Sequence, residues 1–261
     1  MEILKPRIGT WMAIRLAGLA SHEVRVVLAK ELRQALRSRG ALVTGLLVPI
    51  GMLLLAPAQL VFSGRHSGPA ALFEITHLEL PLFTVICGLV VPSLAAVYIF
   101  VNERERRSLE LLLALPVRVR DIFVAKLAAA FALSVAVTLP LYAIQSGVVL
   151  WQAIDDFQGV ATRLMLLMAA LGCSLGYALL IALFARDFRT TSNLTGALLL
   201  PMVFVTLTLL QISAVTLLGH TWTIPVAIPD RPILVAAIML TVGIAAAAGA
   251  LRYVTFERFL A

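Results

Sequence analysis

NERERRSLELLLALPVRVRDIFVAK, residues 102–126, separates two long apolar runs. It opens with Glu103, Arg104, Glu105, Arg106, Arg107 and Glu110. A leucine-rich stretch follows over 109–115, ended by Pro116, and then come Arg118, Arg120, Asp121 and Lys126. A single charge at the centre of a bilayer costs at least about 3 kcal/mol even on the lenient insertion scale. Charge this dense therefore lies in water, between two spanning helices. The pattern predicts a short amphipathic helix held beside the membrane and open to a partner.

The chain around this segment is that of a polytopic membrane protein. Of its 261 residues 61% are hydrophobic and 13% charged, and the mean hydropathy is +1.00. A soluble domain carries roughly 25% charged residues. Apolar runs predict six spans, over 41–62, 80–101, 122–150, 160–184, 194–218 and 233–251. Each has about 20 or more residues, enough to cross roughly 30 Å of hydrocarbon. Pro49 and Pro57 in the first span and Pro140 in the third predict bends. Trp222, Pro225 and Pro229 suggest a half-inserted segment over 208–227. Cys87 and Cys173 fall inside spans as small buried side chains.

Ahead of the first span, Val24, Val27, Leu28, Leu32, Ala35 and Leu36 recur at helical spacing. Arg25, Lys30, Arg33 and Arg37 occupy the rest of that helix. Such a helix lies in the membrane interface, its basic face turned to lipid headgroups or to a docked partner. The expected fold is an all-α membrane protein. It has six transmembrane helices, an N-terminal amphipathic interface helix and a short helix in the segment between spans 2 and 3. The expected organisation is a tail over 1–40, a membrane domain over 41–251 containing the charged segment 102–121, and a second tail over 252–261.

Orientation follows from charge. Of the 21 Lys and Arg, all but Arg65, Arg163 and Arg231 lie in the two tails and in segments 102–126 and 185–193. The positive-inside rule places these segments in the cytoplasm, with both termini, and six spans agree. The net charge of +7 thus reads as a topology determinant and predicts no nucleic-acid partner.

Several chemistries find no support. The chain has no Gly-Lys pair and so no Walker A loop, and no His-Glu-x-x-His. Its four histidines are scattered, and no metal site is expected. Ser174, in the stretch Gly172-Cys173-Ser174-Leu175-Gly176, lies mid-span, where small residues let helices pack closely. No catalytic residue, cofactor site or metal site is predicted. The spans hold almost no charge, with Arg163 and Lys126 near their ends. A secondary carrier usually needs an intramembrane carboxylate, so the driving energy is expected to come from outside the chain. A membrane scaffold that recruits a cytoplasmic protein would share these features, and a secondary carrier is the third alternative.

The run Glu103-Arg104-Glu105-Arg106-Arg107-Ser108-Leu109-Glu110-Leu111-Leu112-Leu113-Ala114-Leu115-Pro116, followed by Arg118, Asp121, Ile122 and Ala125-Lys126, resembles the ABC type-2 exporter permease family. The family's pattern is an acidic-basic-acidic cluster, then Gly-Thr-Leu-Glu, a leucine pair, Pro, a basic turn and Gly-Lys. Arg107, Ser108 and Ala125 here replace Gly, Thr and Gly. The resemblance implies a transmembrane subunit that pairs with a second permease chain, as a homo- or heterodimer, in the inner membrane. It also implies two ATP-binding cassette ATPase subunits docked below, which carry the ATP and Mg. Segment 102–121 would be the coupling helix, with Glu103, Arg106, Arg107, Glu110, Leu111, Leu112 and Pro116 meeting the ATPase. Glu103 and Arg107 are also four apart, a spacing that stabilises a helix surface by itself. Spans 2 and 5 would line a conduit, with Ser93, Gln145, Thr208 and Gln211 as candidate path residues. A chiefly apolar lining suits an amphiphilic cargo.

Overall fold

The computed structural model describes residues 29–30, 33, 51, 54, 58, 75–105, 119–152, 155–184, 188–211, 214–217, 220–223 and 231–253. Five long helices organise them. A π-helical turn, Ile75–Glu79, leads into α1, Leu80–Glu105. After the charged segment come α2, Val119–Trp151, and α3, Phe157–Phe184. Then follow α4, Phe188–Gln211, and α5, Arg231–Tyr253. Four of these, α2 to α5, contain helices long and apolar enough to cross a membrane, and α1 carries a shorter apolar stretch, Leu80–Ala96. At 1.5 Å per residue, the 33 residues of α2 run roughly 50 Å. Expected spans 2 to 6 thus correspond to helices α1 to α5. The first expected span, 41–62, and the tails 1–40 and 252–261 lie almost wholly outside the described residues. Lys30 and Arg33 of the expected interface helix are helical and exposed, whereas Arg25 and Arg37 are not described.

These helices form because their sequences are apolar on nearly every face, so each is covered by neighbours or lipid. Helix α3 is the centre: 72% of its span is buried, against 19% for α4 and 28% for α5. It packs most extensively on α5 and next on α1. Helices α1 and α2 run antiparallel, with Leu80 against Val149 at one end and Cys87 and Val91 against Val137 and Leu141 farther along. The core joins Val85, Leu89, Phe123, Leu166, Ala170, Leu210 and Val235 from all five helices.

Glycine decides how closely α3 and α5 approach. A Cβ built on Gly176 would collide with the Gly243 carbonyl oxygen, and one on Gly243 would lie 2.6 Å from the Cys173 Cα. In lipid, where apolar side chains gain little from leaving one neighbour for another, such small-residue contacts let backbones pack by dispersion. Gly88 does the same for α1, with a Cβ there falling 2.7 Å from that of Ala170. The Gly-Cys-Ser-Leu-Gly stretch therefore serves helix packing, as its mid-span position suggests.

At the α2–α3 end, Asp156 caps α3 by accepting a hydrogen bond from the Gly159 N–H at 2.7 Å. Trp151 and Phe157 flank this turn, 82% and 79% exposed, as aromatic side chains do at a membrane–water boundary. Pro140 lies inside the continuous helix α2. Within the expected half-inserted segment, 208–227, the described residues are the end of α4 and a hairpin. Ala214–Leu217 (β1) pairs antiparallel with His220–Thr223 (β2), with Leu217 opposite His220. Val215, Thr216, Thr221 and Trp222 have side chains that fit a pleated pair better than a helix.

Candidate functional site

The charged segment hangs between α1 and α2, and the two helices approach each other where it leaves them. Lys126 lies at the start of α2, fully buried, and its ammonium donates to the Ile99 carbonyl of α1 at 3.2 Å. A charge-assisted bond of this kind is stronger than a neutral one. It holds the two legs of the segment together, close to where α1 ends. Glu103 falls in the last turn of α1. Arg106, Arg107, Glu110, Leu111, Leu112 and Pro116 lie outside the described residues.

A second polar knot lies between α1 and α3. The Ser93 hydroxyl meets Ser174 Oγ at 2.8 Å and the Tyr177 hydroxyl at 2.5 Å, and it donates to the Leu89 carbonyl. Ser174 Oγ is also within 2.6 Å of the Leu89 carbonyl. All three side chains are buried. Buried hydroxyls cost free energy unless partnered, and here each partners the others. Sequence reasoning placed Ser93 among path residues. The structure joins it to Ser174 and Tyr177, a pairing that periodicity along one helix cannot reveal. Tyr177→Phe is expected to lower stability by about 1 kcal/mol, read as a thermal midpoint in detergent. An unchanged midpoint would show that the knot contributes nothing.

The remaining candidates are dispersed. Thr208 is half-buried and its hydroxyl donates to the Phe204 carbonyl of its own helix. Gln211 is the last residue of α4. Gln145 is 1% exposed on α2, and neither atom of its amide has a partner. An apolar cavity of about 190 Å³ opens between α3, α4 and α5, lined by Cys173, Pro201, Met202, Thr206, Val235 and Met239. The Thr206 hydroxyl is turned to the Met202 carbonyl at 2.8 Å, so it adds little polarity.

Two arginines assigned to outer segments on charge grounds are buried. Arg163 is 4% and Arg231 3% exposed. Arg163 Nη1 pairs with Asp155 across the first turns of α3. Arg231 Nη1 reaches the Leu210 carbonyl at 3.3 Å, tying the start of α5 to the end of α4. From the sequence, Arg163 is placed only near the end of its span. Asp155, eight residues earlier, offered the signal: a carboxylate within reach lets the guanidinium turn inward.

Among the described residues no group of three His, Cys, Asp or Glu could hold a metal ion. No curated protein matches the chain. The sequence profile of the ABC-2 type transporter matches residues 22–227, a range that takes in α1 to α4, the hairpin and the charged segment. The chain belongs to the ABC-2 type transporter family, as a multi-pass transmembrane component.

Proposed function

We propose that this chain is the permease subunit of an ATP-driven exporter, moved by a separate ATP-binding cassette ATPase that holds the ATP and Mg. The observation that carries this reading is the charged segment that follows α1 and precedes α2 in a family member whose sequence contains no Walker A loop. A short helix seated in a cleft of the ATPase would push on two legs that Lys126 ties together. Leu111 and Leu112 would fill the cleft, Glu103, Arg106, Arg107 and Glu110 would form ion pairs at its rim, and Pro116 would end the helix. Displacement would pass from α1 to α3 through the Ser93–Ser174–Tyr177 knot.

The working unit in this reading is two permease chains and two ATPases, in the inner membrane. Six spans place both termini and segment 102–121 in the cytoplasm. Arg25, Lys30, Arg33 and Arg37 of the interface helix border the docking surface. Leu200 and Phe204, both 62% exposed on α4, leave an apolar face for lipid or for the second chain. Gln211 and Thr208 lie on that helix, near the path.

Glu110→Lys and Leu112→Asp test the reading. Both variants are expected to insert normally and to uncouple ATP hydrolysis from transport in liposomes holding the permease and its ATPase. Undiminished coupled transport in both would exclude segment 102–121 as the coupling element.

A further inference from the structure

Both legs of the charged segment are interrupted by proline at one depth. Pro92 lies inside α1 and Pro140 inside α2. Proline brings no N–H, so the carbonyls of Gly88 and Ala136 have no amide donor four residues on, and each ring presses on the turn before it. Leu80 packs against Val149, and Cys87 and Val91 lie beside Val137 and Leu141. This antiparallel register brings the turn 88–92 level with the turn 136–140. Sharp bends in helices occur at such turns, and two neighbours weakened at the same level can bend together. Hydroxyls loosen the same region. Ser93 donates to the Leu89 carbonyl at 2.6 Å, and Thr138 to the Ser134 carbonyl at 2.9 Å. Back-bonding of this kind often bends a helix.

The two sides of this level are held differently. Away from the charged segment, Leu80 and Val149 join α1 to α2. Gly88 sits so close to α3 that a Cβ there would fall 2.7 Å from that of Ala170. Toward the charged segment, Lys126 of α2 donates to the Ile99 carbonyl of α1, so these two halves are tied to each other. Their polar link to α3 is Ser93, the residue after Pro92. Its own hydrogen goes to Leu89, so it accepts from the Tyr177 hydroxyl at 2.5 Å. Tyr177 has a second partner at hand, since Ser174 Oγ lies 3.4 Å away. When Ser93 leaves, Tyr177 can donate to Ser174, which keeps its own bond to the Leu89 carbonyl. No buried hydroxyl is then orphaned. Both arrangements are satisfied, as a two-state element requires.

We infer that the halves of α1 and α2 next to the charged segment form one hinged flap, turning at Pro92 and Pro140, and that Ser93 latches this flap to α3. That an ATPase drives the flap rests on the export reading, whereas the hinge is measurable in the permease alone. In that reading, the push on the charged segment first parts Ser93 from Tyr177. The flap then swings while the opposite halves stay seated.

The experiment uses the full permease in phosphatidylcholine nanodiscs, in a Cys87→Ala/Cys173→Ala background, with spin labels on introduced cysteines. Met165→Cys on α3 is paired in turn with Phe131→Cys, between Lys126 and Pro140, and with Ile144→Cys, beyond Pro140. The three native side chains are 44%, 38% and 53% exposed, so labels fit there. The Phe131 pair is expected to show two distances and the Ile144 pair one. Ser93→Ala should at least double the share of the minor distance. Pro92→Ala/Pro140→Ala should leave the Phe131 pair a single distance, with the thermal midpoint kept or raised because alanine restores the amide donors. A shifted midpoint with unchanged distances would make the prolines merely structural and overturn the hinge. A single Phe131 distance in both the wild type and Ser93→Ala would also overturn it. Addition of the ATPase with ATP should at least double the minor distance. Two distances that this addition leaves unmoved would keep the hinge and count against the export reading alone.

Discussion

Gly243→Leu is expected to prevent α5 from seating on α3. Any Cβ at this position falls 2.6 Å from the Cys173 Cα and 2.8 Å from its nitrogen. These are backbone atoms of the most buried helix in the bundle, so no rotamer change relieves the overlap. Overpacking a core costs typically about 1–3 kcal/mol, and a branched side chain against rigid backbone belongs at or above the top of that range. Gly176→Leu meets the Gly243 backbone from the other side and should behave alike. Gly172→Ala and Gly249→Ala are the controls, since a Cβ at either meets nothing within 4 Å. The measurement is the monodisperse fraction after detergent extraction, with the thermal midpoint of what survives. If Gly243→Leu matches the controls, the α3–α5 contact is not glycine-dependent.

Asp155→Ala is expected to cost about 3–5 kcal/mol, the range for breaking a buried ion pair by removing one partner. The pair is well sheltered: the side chains of Arg163 and Asp155 are 5% and 14% exposed. Without the carboxylate, the guanidinium stays beside Tyr142 with its charge uncompensated. The double variant Asp155→Ala/Arg163→Met should recover most of the loss, because replacing a buried pair by apolar volume is often neutral. Thermal midpoints of wild type, both single variants and the double variant close the cycle. Additive single effects would show that the two groups do not interact.

Much of this molecule could be read without coordinates. Helices α1, α2, α3 and α5 begin and end within a few residues of the apolar runs that predicted them, whereas α4 ends at Gln211, seven residues before the predicted end of its span, where the chain passes into β1. The charges between spans 2 and 3 and the Glu-Leu-Leu run pointed to the family that the profile match establishes. Hydropathy is legible because hydrocarbon acts on each residue independently: twenty apolar residues in succession cross a membrane whatever surrounds them. The hairpin at 214–223 was less legible. Its β-branched residues are too few to outweigh the apolar run that continues from α4, so it read as membrane-embedded chain.

The residues alone determined the class of this protein and the long apolar helices that make it a membrane protein, because both follow from the free energy of placing particular groups in lipid. Only the tertiary structure decided that α3 is the centre, that Gly176 meets Gly243, that Ser93 belongs with Ser174 and Tyr177, and that Arg163 turns inward to Asp155. Those facts concern pairs of residues up to 84 positions apart. Periodicity tells which face of a helix is apolar, but in a bundle whose helices are apolar nearly all round it leaves the choice of neighbour to shape, and shape exists only once the helices have packed.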